Sequence, residues 1–124
     1  MDELNDLQPV ADEITSDYAN NTVFESTIWD LKLIFGEFSG SARAIEYHTS
    51  ITVPWSQAKL IAFYLQANIA AYESEHGKIK VAASVIPPEW NPPSTEQVSA
   101  NPGSQELFET LQTLRRNFLE SLGS

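Results

Sequence analysis

Glu46 and His48 stand two residues apart in the run AIEYHTSITV, and period-two spacing puts both on one face of a strand. A carboxylate beside an imidazole could act as a general acid–base pair. Asp30, set inside the apolar run STIWDLKLIFGEF, is a third candidate. Catalysis would require its side chain to converge with the other two. Glu73, Glu75 and His76 offer carboxylate and imidazole ligands for a metal ion. Positions 73, 75 and 76 do not share one helical face, however. A polar outer strand face routinely produces pairs such as Glu46 and His48, and Asp30 falls on the mixed face of its strand. Solvated sheet is therefore the preferred reading for all three. The sequence contains no glycine pattern for nucleotides and no nucleophile elbow. Lys and Arg are too sparse for an aromatic RNA-reading sheet. No catalytic, cofactor or metal residue is assigned, and the chain is read as a non-enzyme.

The elements that would position these side chains follow from hydrophobic spacing. Residues 1–17 read as an acidic, disordered tail. A strand is expected from Thr22. In the run 26–38, Trp29, Leu31, Leu33 and Phe35 share one face, while Ile28, Asp30, Lys32 and Ile34 share the other. Asp30 and Lys32 could pair with each other or with a neighbouring strand. Residues 36–41, GEFSGS, read as a hairpin turn. The next strand, 42–53, puts Ile45, Tyr47, Ile51 and Val53 on one side and Glu46, His48, Ser50 and Thr52 on the other. Pro54 opens a helix expected to run to about His76, with Gly77 as its stop. Residues 78–85 could add a fourth strand.

The long helix carries more apolar surface than one sheet can cover. Ala58, Ile61, Ala62, Leu65, Ile69 and Tyr72 form one stripe, and Leu60, Phe63, Tyr64, Ala67 and Ala71 form a second. Such a helix needs partners on two sides, its own sheet on one and a second helix on the other, from this chain or another subunit. Residues 86–103 are a Pro-rich linker or strap in which Trp90 sits between two Pro-Pro pairs. Trp90 either pins the strap to the domain or serves as a ligand element for a partner groove. A last amphipathic helix, within 104–124, carries Leu107, Leu111, Leu114 and Phe118 at 4-3-4 spacing, and Phe108, Leu119 and Leu122 widen the stripe. The expected class is α+β, a small antiparallel sheet of three or four strands packed on one long helix within 18–85, plus the C-terminal helix.

Net charge is −10 over 124 residues, and the first 17 residues supply six uncompensated acidic groups. Duplex nucleic acid and anionic membrane surfaces are improbable partners for such a chain. Cysteine is absent, which rules out disulfides and suits a reducing cytosol. No apolar run is long enough to span a bilayer.

One arrangement is familiar as a whole. It comprises Tyr18-Ala-Asn-Asn, Trp29-Asp30-x-x-Leu33-x-Phe35-Gly36, Val53-Pro54, Ala58-Lys59, and Asn68-Ile69-x-x-Tyr72-Glu73-x-x-x-Gly77-x-Ile79. Over residues 18–80 it resembles a family of small bacterial proteins known only as a domain of unknown function. Trp29-Asp30-Leu31, Val53 and His76 depart from that family's pattern. The resemblance implies no catalytic residue, and the Pro-rich segment and last helix lie outside it. The layout alone is also similar to the SecB-type export chaperones, which implies a tetrameric holder of unfolded chains. The functional expectation is a homo-oligomeric protein-binding or assembly module, a dimer or tetramer, with a SecB-like holdase as the alternative. Leu60, Phe63, Tyr64, Ala67, Trp90, Leu107, Leu111, Leu114 and Phe118 are its candidate contact residues. No cofactor is expected.

Overall fold

The computed structural model of the chain describes residue 7 and residues 14–122. Most of the expected acidic tail lies outside these residues. Strands β1 (Asn21–Ser26), β2 (Asp30–Ser39) and β3 (Ala44–Pro54) form an antiparallel sheet in the order β1-β2-β3. Helix α1 (Trp55–His76) follows directly, and a single 3-10 turn (Ala83–Val85) leads to α2 (Thr95–Ala100) and α3 (Gly103–Ser121). The class is therefore α+β, with three strands, a long helix after them and a C-terminal helix. Two compact units divide the chain, Met1–Ala62 and Phe63–Ser124, so the division falls within α1.

The β1–β2 turn explains Asp30. Thr27 Oγ1 donates to Asp30 Oδ1 at 3.0 Å and accepts the backbone N–H groups of Trp29 and Asp30, both at 3.0 Å. Asp30 thus closes a tight hydroxyl-clamped turn. Trp29 belongs to that turn rather than to the strand face, and its side chain is 77% exposed. Trp55 Nε1 donates to Thr27 O at 2.9 Å, tying the first residue of α1 to the same turn. Trp55→Phe should remove this bond and cost about 1 kcal/mol, read as a fall in the urea midpoint.

Cross-strand register sets the two sheet faces. Phe24 pairs with Leu33, Leu31 with Val53, and Leu33 with Ile51, so these residues and Phe35 share one apolar face. Lys32 pairs with Glu25 on the other face, with a 3.7 Å ion pair across the strands. The register then slips, since Phe35 pairs with Thr49 but Gly36 pairs with Tyr47. His48 is the extra residue of a β-bulge in β3. The slip moves Tyr47 and Ile45 to the face opposite Ile51 and Val53, correcting the single apolar face expected for this strand. Nor is Gly36 a turn residue. It lies inside β2, and the turn is formed by residues 40–43, where Arg43 has φ 51°.

Helix α1 ends where expected. Gly77 has φ 87°, and its N–H reaches Glu73 O at 2.9 Å. Pro54 remains paired with Asp30 as the last strand residue, and the helix starts one residue later. Residues 78–82 form no strand. Glu73 Oε2 accepts the Ile79 N–H at 2.8 Å, so that donor is satisfied by a side chain and not by a ladder. Val53 is the buried hydrophobic residue among those described, and no residue of α1 is buried.

Candidate interaction surface

The three residues considered for catalysis do not converge. Asp30 pairs with Pro54, six positions along β3 from His48, a separation of about 20 Å at the usual strand rise. Glu46 stands opposite another carboxylate, Glu37. Both ring nitrogens of His48 are engaged. Nε2 donates to Tyr18 O at 3.0 Å, and Nδ1 lies 2.7 Å from Thr49 Oγ1. Thr49 Oγ1 in turn donates to Asp17 Oδ2 at 2.9 Å. The chain entering β1 is therefore fastened at the bulge, and Asp17, expected in the free tail, is an anchoring residue. Asn20 adds to the fastening, because its N–H reaches Gly36 O and its Oδ1 accepts the Phe38 N–H. Of the possible metal ligands, Glu73 caps Ile79, while His76 packs on the Tyr72 ring at 4.6 Å. Among the described residues no group of three or more possible ligands comes together.

What the chain does present is apolar surface on α1. Between Lys59 and Glu73 the helix has no charged residue, and Gln66 and Asn68 are its only strongly polar side chains there. At 100° per residue, Ile61, Leu65, Ile69 and Tyr72 fall on one side and Leu60, Phe63, Ala67 and Ala70 on the other. Gln66 and Asn68 mark the two boundaries. Asn68 Nδ2 is satisfied by Tyr64 O, one turn back along the same helix, at 2.8 Å. Only Ala58, Ile61 and Glu73 are half-buried, and the rest of the helix is exposed. A helix apolar on opposite sides is normally enclosed. Leu60, Phe63, Tyr64 and Ala67 all lie on the more open side, and Phe63 and Tyr64 meet edge-on at 5.2 Å.

A second surface is built in the C-terminal unit. Ser94 caps α2 through a reciprocal capping box with Gln97. A helix here departs from the linker or strap expected over 86–103, and the S-T-E-Q run just past the proline pairs supplies its capping box. On α3 the covered line is Ser104, Phe108, Leu111, Arg115 and Leu119. Leu107, Leu114 and Phe118 remain exposed, so the covered line is rotated from the 4-3-4 stripe toward Phe108 and Leu119, which were expected to widen it, and Leu111 belongs to both. The rotation has a polar cause. Arg115 Nε donates to Pro87 O at 2.9 Å, and Nη1 lies 3.7 Å from Glu89 Oε1, drawing that side of α3 to the strap. Trp90, Pro93, Gln97, Leu107, Phe108 and Leu111 help to line an open cleft of about 440 Å³. Arg115→Ala should release the strap and shift Trp90 emission to the red, measured with Trp29 and Trp55 replaced by Phe.

The sheet, the Thr27 turn and α1 with its glycine stop coincide with a known sequence family. The match, to a family described as a protein of unknown function, spans residues 3–81. The chain belongs to the DUF3467 family. No curated protein and no solved structure matches it. The DUF3467 match stops just past the Ile79 cap, so the strap, α2 and α3 lie outside it. Both apolar sides of α1 lie within it, whereas the C-terminal cleft does not.

Proposed function

We propose that the chain is a non-catalytic assembly module that associates with copies of itself through α1, as a C2 dimer or a D2 tetramer. The observation that carries this reading is the middle of α1. Over a dozen consecutive positions lack charge, large side chains occupy opposite sides, and none of them is buried. Leaving such surface in water forgoes about 2 kcal/mol for each large side chain that association could cover. Light scattering on the full chain should return a multiple of 13.8 kDa. A one-chain mass at every concentration would remove the reading.

A SecB-like holdase is the second reading. It is favoured by the open cleft beside Trp90 and by the exposed line Leu107, Leu114 and Phe118 on α3. It requires suppression of aggregation of an unfolded client, and failure in that assay would remove it. A dedicated protein partner would engage the same C-terminal surface. The net charge of −10 argues against nucleic acid and anionic membrane as partners. No helix among the described residues is long and apolar enough to cross a membrane. The lack of cysteine fits a cytosolic location.

A further inference from the structure

Lys59, Gln66 and Glu73 recur at intervals of seven residues and so form one line along α1, with opposite charges at its ends and a neutral amide at its centre. Lys59 makes no ion pair among the described residues. From this line we infer that α1 pairs with α1 of a second copy in antiparallel fashion, about a two-fold axis between Tyr64 and Gln66. The inference rests on the self-association proposed above and specifies its geometry.

The register follows from the charges. Antiparallel helices place equivalent flanking positions opposite each other, so Lys59 of each copy meets Glu73 of the other, and Gln66 meets Gln66. The seam beside this line then follows without further choice. Phe63 meets Ala67 of the second copy, Leu60 meets Ala70, and Ser56 meets Ser74. Every layer sets a large side chain against a small one, or two small polar ones together, as interdigitated packing requires. Tyr64 meets Tyr64 on the far flank. The axis falls at the midpoint of Trp55–His76, so both helices overlap along their whole length.

A parallel pair would do none of this. It would stack Phe63 on Phe63 and Ala67 on Ala67, giving alternately overfilled and empty layers. It would also set Lys59 level with Lys59 and Glu73 level with Glu73. The choice of side is made within the chain as well. Of the half-buried residues of α1, Ala58 and Ile61 lie toward the other side and Glu73 lies on the flanking line itself, whereas Leu60, Phe63, Ala67 and Ala70 are all exposed.

The chain has no cysteine, so single cysteines report the register directly. Full-length Gln66→Cys and Lys59→Cys chains would be treated with a short bis-maleimide, and the mass of each untreated chain followed by sedimentation. The antiparallel pair puts the two copies of position 66 side by side. It puts the two copies of position 59 about 21 Å apart, 14 residues at 1.5 Å each. A covalent dimer from Gln66→Cys and none from Lys59→Cys is expected. Cross-linking of both, or of Lys59→Cys alone, would overturn the antiparallel register. Cross-linking of neither in chains that sediment as oligomers would overturn pairing through α1 while leaving self-association standing. Chains that sediment as monomers would overturn both.

Discussion

A chain carrying Phe63→Glu is expected to run as a monomer under conditions where the wild type runs as an oligomer. Phe63 is 61% exposed on the charge-free stretch of α1, so nothing among the described residues opposes the change. Glu favours helix at least as well as Phe, and α1 itself should persist with unchanged far-ultraviolet circular dichroism. The cost falls on association. Each copy loses the burial of an aromatic side chain, about 2–3 kcal/mol, and a carboxylate left at a dry seam adds a penalty of comparable size. Two copies contribute, so the association constant should fall by about 10⁴-fold or more. An Ala substitution at exposed Gln105, on α3, should leave the mass unchanged. If Phe63→Glu kept the wild-type mass, α1 would not be the interface.

Gly36→Ala should destabilise the sheet, although propensity alone argues the other way. Alanine normally improves on glycine in a strand, because the unfolded chain loses less freedom. At Gly36 a Cβ would lie 2.6 Å from Glu46 O, 2.8 Å from Tyr47 Cδ1 and 3.0 Å from Tyr47 Cα. Two of these three atoms are backbone and are held by the bulge, so β3 must move for the methyl group to fit. A cost of about 2 kcal/mol is expected, typical of an overfilled site. It would be read as a lower urea midpoint at fixed protein concentration, since association also contributes to apparent stability. A midpoint equal to or above that of the wild type would show that the bulge does not constrain Gly36.

The same bulge shows where sequence reasoning reached its limit. Ile45, Tyr47, Thr49, Ile51 and Val53 alternate without interruption, so nothing in β3 announces that its apolar residues divide between two faces. The signal was on the facing strand, in a glycine flanked by strand-forming residues. Gly36 was legible as special, but its proximity to Gly40 and two serines suggested a turn instead of a close approach. The stop of α1 was legible because it depends on local chemistry alone, a glycine at the position that needs positive φ. Asp30 was legible as structural, though its partner, Thr27, was not. The two apolar sides of α1 were plain from spacing, and Leu60, Phe63, Tyr64 and Ala67 lie together as expected. On α3 the spacing identified the apolar residues but not which of them the strap would cover. That depended on Arg115, a polar side chain to which periodicity is blind, reaching a proline carbonyl 28 residues away.

The central claim, that the middle of α1 is the surface covered on association, is tested most directly by amide hydrogen exchange in residues 60–72 over a dilution series. Slow exchange at high concentration, giving way to fast exchange as the oligomer dissociates, is expected. Exchange in this stretch that does not change with concentration, in a chain whose mass does, would contradict it.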